Sequence, residues 1–471
     1  MPRRWNHVLS PEQGVDEFAS RARPGIPARE DSLMSQDTLT VTDNRTGQTY
    51  VLPIEHGTIR ATDLHKITTG NEENGLTIYD PALRNTACCR SSISFVDHGI
   101  HHYRGYPIEL LADNCSFLDV AYLLLFGELP HEAERENWVS EITHHTMLHE
   151  TSKSFMEGFL RSAHPMGMLV STLAAFSTIY PEARDVHDPE NRLLQIKRIV
   201  AKVPSIAAMS YRHSLGYPYV YPDNDLSYTE NFMNMLWKMV EPKYLANMVL
   251  AHAFDVLFIL HADDGQNCSA ATVRCVGSAE TDPYLATAAA AAALAGPLHG
   301  GMTEDLVRML NAIRSPENVP AFIKDVKEGR RKLVGFGDTG PGDSDPRTKI
   351  IRRTVEQVFD VTGKNRRLEA ALELERIARE DDFFVTRRLY PSVDFYTAII
   401  YQAMGFRPEM VTVLQAVPRT VGWLAHWQEM LTDPEQKIAQ PAQVYTGRGE
   451  RELPPLEPHP VGVSEEATFS C

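Results

Sequence analysis

Ala286-Thr-Ala-Ala-Ala-Ala-Ala-Ala-Leu-Ala295 runs directly into Gly296-Pro-Leu-His-Gly-Gly301. The apolar run stops at Gly296-Pro297, well short of the ~20 residues that span a bilayer, so it reads as a buried helix closed by a tight turn. His299 then sits between that helix and a new one capped near Thr303. Backbone donors at a helix start favour negative charge beside them. A histidine so placed can donate to a thioester or enolate oxygen. The local pattern also fits a turn histidine held only by hydrogen bonds.

Working outward, apolar spacing at the helical period predicts helices near 153–180, 191–212, 227–239, 241–261, 282–295, 303–313, 348–361, 366–379, 394–404 and 408–430. Ser116-Phe-Leu-Asp is a capping box opening a further apolar helix through Phe126. Strand signals are sparse. Leu39-Thr-Val-Thr and Thr49-Tyr-Val-Leu flank the turn-like Asp43-Asn-Arg-Thr-Gly, and Ile93-Ser-Phe-Val and Ile100-His-His-Tyr flank Asp97-His-Gly. The fold class is therefore mainly α with small N-terminal β-hairpins. Residues 1–36 are polar and rich in arginine and proline, and read as an extended or disordered arm. From Gly447 the chain is charged and proline-rich, and reads as an irregular tail.

A chain of 471 residues implies two or three folding units. With 43% hydrophobic and 23% charged residues it has ordinary globular composition. Its formal charge of −16 argues against nucleic acid or an anionic membrane as the main partner. No apolar signal segment opens the sequence. The six cysteines lack metal-type spacing, so free thiols in a reducing compartment are expected. Asn44-Arg-Thr, Asn114-Cys-Ser and Asn267-Cys-Ser are taken as chance matches to the glycosylation pattern.

Three further places carry candidate chemistry. Tyr390-Pro-Ser-Val-Asp-Phe-Tyr puts Asp394 in the first turn of a helix, where a capping role is the simplest reading. A proton-abstracting role would need an apolar pocket and a raised pKa. His261-Ala-Asp-Asp closes a helix; His261, Asp263 and Asp264 suggest a metal site only weakly, since no further ligand follows at a suitable spacing. Arg347 and Arg419, in Asp-Pro-Arg-Thr and Val-Pro-Arg-Thr, could grip carboxylates bidentately, or form surface ion pairs.

In combination, Tyr103-Arg-Gly-Tyr-Pro-Ile-Glu, His164-Pro-Met-Gly-Met-Leu-Val-Ser-Thr, His261-Ala-Asp, Gly296-Pro-Leu-His-Gly-Gly, Val393-Asp-Phe-Tyr and Arg419-Thr-Val-Gly-Trp-Leu-Ala-His-Trp resemble the citrate synthase family, in its order and spacing, from about residue 38 to Gly447. The resemblance is to the peroxisomal or bacterial-type branch, with fungal alkylcitrate synthases of secondary metabolism as a subgroup. It implies a homodimer, no tightly bound cofactor, no metal, and coenzyme A entering as part of the acyl substrate. It also implies a large domain of residues 37–300 plus 406–446 and a small one of 301–405, closing over the site. Asp394 would remove an α-proton from an acyl-CoA, and His299 would stabilise the enol. Gly335, Phe336 and Gly337 would contribute to the coenzyme A site.

The acceptor side departs from the family. Where Gly-Phe-Gly-His-Arg-Val-Tyr-Lys-Asn-Tyr-Asp-Pro-Arg is usual, this chain has Asp338 for the carbonyl-polarising histidine, with Thr339 and Gly342 for the arginine and lysine. Asp264 replaces an oxaloacetate-binding histidine, and Gln440 replaces an arginine that reaches across the dimer. His261, Arg347 and Arg419 remain as acceptor-side residues. Three outcomes stay open: condensation of an acyl-CoA with a 2-oxo acid such as oxaloacetate, other chemistry from the same enolising pair (hydrolysis, lyase or cyclisation), and a silent homologue. The terminal Phe469-Ser-Cys is no clear peroxisomal signal, so a cytoplasmic location is expected.

Overall fold

The computed structural model describes residues 37–69, 75–97, 99–337 and 345–453. The arm 1–36, Asp338 and the end of the tail lie outside the described residues. The chain divides into two compact units, one formed by residues up to Arg90 together with those from Ala442 on, the other by Ser91–Pro441.

In the first unit Thr38–Asp43 pairs antiparallel with Gln48–Pro53, Asp43 facing Gln48, so the expected hairpin forms around the expected turn. The second unit is a helical assembly around one apolar core. Its hairpin Ser94–Asp97/Ile100–Tyr103 is extended by Tyr106–Pro107. The Ser116 box forms as read: Ser116 Oγ accepts from the Asp119 amide and the Asp119 carboxylate accepts from the Ser116 amide at 2.9 Å. Gly127, at φ 96°, ends that helix.

The other predicted helices form, with revised bounds. The stretch expected as one helix over 153–180 is two, Glu150–Glu157 and Pro165–Ile179, because Gly158 ends the first and His164 caps the second, accepting from the Met166 amide before Pro165. The helix expected from 241 begins only at Met248, where Asn247 accepts from the Val249 and Leu250 amides. Glu132–His144, Cys268–Gly277 and Val319–Lys327 are helices without a prediction behind them. Glu132–His144 buries only Trp138 and Ile142, and Cys268–Gly277 is built of small residues, so neither carries a full apolar stripe.

Pro408–Thr432 is buried almost continuously from Met410 to Trp427 and forms the axis of this unit. Pro418 lies inside it, where a proline removes one rung of the ladder. One turn later Gly422 instead donates its amide to the Ala262 carbonyl at 3.2 Å. A Cβ at 422 would stand 2.5 Å from that oxygen, so only glycine admits this approach. The contact seats the 261–265 turn against the axial helix beside Arg419. Gly422→Ala is expected to lower stability by about 1–3 kcal/mol through overpacking, read as a lower midpoint in denaturant unfolding; an unchanged midpoint would contradict the assignment.

Candidate active site

The alanine-rich segment is the helix Pro283–Leu294, opened by Asp282, whose carboxylate accepts from the Tyr284 and Leu285 amides. Behind it the chain turns tightly, with the His299 and Gly301 amides donating to the Gly296 carbonyl at 2.9 and 3.1 Å. A Cβ on Gly301 would meet the Ala295 and Gly296 carbonyl oxygens at 2.7 and 2.8 Å, which explains the closing glycine. The new helix starts at Gly301, slightly before the expected Thr303.

His299 is half-buried in this turn. Its Nε2 lies 2.9 Å from Ser269 Oγ, at the start of the helix Cys268–Gly277. Among the described residues Nδ1 makes no hydrogen bond, so it is the ring nitrogen left for a ligand. If Ser269 donates to Nε2, the neutral ring carries its proton on Nδ1. Burial and Arg419 push the imidazole below its ordinary pKa of 6.5, against the opposing pull of Asp264 and Asp394. Asn267-Cys-Ser is thus a helix start: the Asn267 side chain accepts from the Ser269 and Ala270 amides.

Asp394 stands in the first turn of Val393–Ala403 as expected, with its side chain one-third exposed. It caps nothing there. Its Oδ1 accepts from Gln415 Nε2 at 2.9 Å and lies 3.8 Å from His261 Nε2. The apolar pocket and raised pKa that a proton-abstracting role would need are replaced by an ionised carboxylate among charged partners. Burial pushes the carboxyl up, but His261, Arg419 and Arg347 outweigh it and hold it below 3.8. Gln415 also donates to Thr303 Oγ1 at 3.1 Å. It lies one helical step before Arg419, so an i, i+4 reading around that arginine would have found it.

Gly335, Phe336 and Gly337 lie beside Asp394. Phe336–Gly337 pairs with Tyr390–Pro391, the Ser392 amide donates to the Gly335 carbonyl at 2.9 Å, and the Phe336 and Phe395 rings are 5.1 Å apart. This short ladder fixes the start of the Asp394 helix.

His261, Asp263 and Asp264 do not converge, and no group of His, Cys, Asp and Glu among the described residues could hold a metal. His261 Nδ1 donates to the Leu257 carbonyl at 2.9 Å. Asp263, almost fully buried, takes His426 Nε2 at 3.2 Å, the Gly265 amide at 3.1 Å and the Ser94 hydroxyl. Arg274 donates to His426 Nδ1 at 3.2 Å, which leaves Nε2 to donate to Asp263. The Tyr103 hydroxyl donates to the Asp263 carbonyl at 2.9 Å.

Asp264 turns the other way. Its oxygens lie 3.5 Å from Arg347 Nη1 and 3.3 Å from Arg419 Nη2, so it bridges the two arginines singled out in the sequence. Burial pushes its carboxyl up, but Arg419, Arg347 and His101 hold it below its ordinary value. Arg347 is gripped from behind by Asp345, at 3.1 Å to Nε and 2.9 Å to Nη2. Gln440 is exposed, with no hydrogen bond to this cluster. His101 was missed. It is buried on the same strand face as Tyr103, as strict alternation along Ile100–Tyr103 allows.

A helical scaffold that holds an ionised carboxylate, a neutral histidine and a pair of arginines at one site has the make-up of a carbon-acid enzyme acting on anionic substrates. The "Citrate synthase, C-terminal domain" model matches residues 82–442. A peroxisomal citrate synthase of Dictyostelium discoideum is 48% identical over 97% of this chain and 93% of its own length. A glyoxysomal citrate synthase of Cucurbita maxima is 46% identical over 89% of this chain and 84% of its own. Among solved structures, citrate synthase from Pyrobaculum aerophilum superimposes with a TM-score of 0.71 at 31% identity, covering 80% of this chain and 96% of that one. That of Thermoplasma acidophilum, in ternary complex with carboxymethyl coenzyme A and oxaloacetate, gives 0.71 at 25% identity, covering 79% and 97%. The chain belongs to the citrate synthase family, whose enzymes are carbon–carbon bond-forming acyltransferases. Among the described residues no helix is long and apolar enough to cross a membrane.

The Ser269 contact yields a test. Nitrogen-15 NMR of His299 is expected to show Nδ1 protonated and Nε2 accepting, and Ser269→Ala is expected to mix the two tautomers. A wild-type ring protonated on Nε2 would refute this geometry.

Proposed function

We propose that the protein condenses an acyl-CoA, acetyl or longer, with a 2-oxo acid to give a citrate or alkylcitrate-type product. The observation that carries this reading is the meeting of Asp394, His261, His299, Arg347 and Arg419 within one electrostatic neighbourhood. Asp394 is ionised and takes the α-proton, and the C–H electron pair moves toward the thioester oxygen. His299, neutral and with Nδ1 free, donates a hydrogen bond to that oxygen. The resulting enolate then attacks the oxo carbon, forming the new carbon–carbon bond as the C=O π pair moves onto the oxo oxygen, which takes a proton from water while protonated Asp394 returns its proton to solvent. Water then cleaves the thioester to release coenzyme A. Arg419 and Arg347 supply the positive field for the acceptor. Gly335, Phe336 and Gly337 are assigned to the coenzyme A side; their contacts with the Asp394 helix would couple that ligand to the base.

Asp394 and Arg347 belong to the proposed small domain, 301–405, whereas His261, His299 and Arg419 belong to the proposed large one. Closure of one on the other would complete the site and exclude water from the enol. We read the working form as a homodimer, with Gln440 in the position from which the family reaches across to a partner. The named compartments of two relatives favour a peroxisomal location over the cytoplasmic one expected from sequence. A second reading, another reaction from the same enolising pair, draws on the carboxylate already lodged between the arginines.

Deuterium exchange at the α-carbon of acyl-CoA, followed by mass spectrometry, tests the base. Asp394→Asn is expected to slow exchange by about 10²–10⁴-fold. Absence of exchange across acyl lengths in the unaltered protein would sink the enzymatic reading. The pH dependence follows from the two directions. Asp394 is ionised above its lowered value and His299 is neutral above 6.5 or less, so exchange stays full above pH 6.5 and falls only below it. An acid limb centred above 6.5 would contradict these assignments.

A further inference from the structure

Resting on the condensation reading, we propose that Asp264 is a built-in carboxylate. It occupies the acceptor clamp, so that the site takes a 2-oxo acid with one carboxylate rather than two, and the product of the condensation is then a 2-hydroxy dicarboxylate in place of a citrate.

The positive charge of the clamp is already matched. Arg347 and Arg419 bring two guanidinium groups, and Asp264 and Asp345 bring two carboxylates. Asp264 is held in its charged form by the arginines, and Arg347 by Asp264 and Asp345 against the pull of burial. A dianionic acceptor entering here must displace Asp264 or sit beside it, where like charges repel.

What remains open suits a single carboxylate. Arg419 is 9% exposed, and its Nε and Nη1 are buried with no hydrogen-bond partner among the described residues. Buried guanidinium donors are costly to leave unpaired, so they mark a place for an anion. His101 is 2% exposed, and neither of its ring nitrogens has a partner among the described residues. Burial and Arg347 push it down to about 4, against Asp264, Asp345 and Asp263, so it meets a ligand as a neutral imidazole with one donor and one acceptor. Free donors on Arg419 and a neutral ring fit one carboxylate and one oxo group. The second carboxylate of an oxo-diacid would find its counter-charge taken.

The contacts to Asp264, 3.3 and 3.5 Å, are longer than those of Asp345 to Arg347. Asp264 is therefore the member of the cluster that an incoming group would disturb, and its charge sets the preference.

Calorimetric binding to the full chain, which needs no turnover, tests this. Pyruvate and glyoxylate serve as monocarboxylate probes and oxaloacetate as the dicarboxylate. At least one monocarboxylate is expected to bind about ten-fold or more tightly than oxaloacetate, a difference of about 1.4 kcal/mol. Asp264→Asn is expected to move that ratio toward oxaloacetate by about ten-fold or more. Tighter binding of oxaloacetate by the unaltered protein, binding of none of the three, or an unmoved ratio in a folded Asp264→Asn would each overturn the proposal. The unaltered comparison decides even if the variant does not fold. Loss of α-proton exchange with the binding preference intact would overturn the condensation reading alone.

Discussion

The site depends on the burial of the Asp263 carboxylate against His426. An ion taken fully out of water costs on the order of several kcal/mol unless its surroundings replace the lost hydration. Here the His426 ring, the Ser94 hydroxyl and the Gly265 amide do so, and the pKa stays low in spite of burial. Arg274 and Gln266 hold the far side of the imidazole. Tyr103 ties the same turn to the hairpin. The 261–265 turn is therefore fastened to the axial helix, the 268–277 helix and the hairpin. His261 and Asp264 inherit their positions from that fastening.

The electrostatics of the site then divide in two. On one side His261, with Arg419 and Arg347, holds Asp394 ionised against desolvation, and burial together with the same Arg419 lowers the pKa of His299. The proposed base and donor thus stand in complementary protonation states. On the other side the arginine field is balanced by Asp264 and Asp345. The same guanidinium of Arg419 takes part in both halves, so the charge state of the acceptor pocket and that of the base are linked.

Much of the fold is legible in the sequence. Most helices with an apolar stripe were predicted within a few residues, apart from the break between Glu157 and Pro165, the late start at Met248 and the helix Val319–Lys327. The tight turn at His299 and the helix start at Asp394 followed from proline and glycine, whereas the roles proposed for these two residues came from the family resemblance. Helices such as Glu132–His144 escaped because periodicity registers only buried faces. The direction of the Asp394 shift could not be read from the chain, since its apolar sequence neighbours Phe395 and Tyr396 are only compatible with desolvation. The deciding partners, His261, Arg419 and Arg347, are remote in sequence. The same holds for Asp264: its replacement of a histidine could be read from the chain, but its lodging between the two arginines could not. Ser269, Gln415 and His101 act through tertiary contacts, and only helical or strand spacing beside a known site residue would have raised them.

Asp263 and Asp264 are adjacent yet face opposite ways, one into the scaffold and one into the cleft. This separates a residue that fastens the turn from the residue proposed to meet the ligand. Position 264 can therefore vary without loosening the turn that presents it. Aspartate, asparagine and histidine codons differ by a single base, so a lineage carrying this scaffold could pass between negative, neutral and proton-bearing clamps in single steps. The turn is in that sense a socket, and its exchangeable part is one side chain.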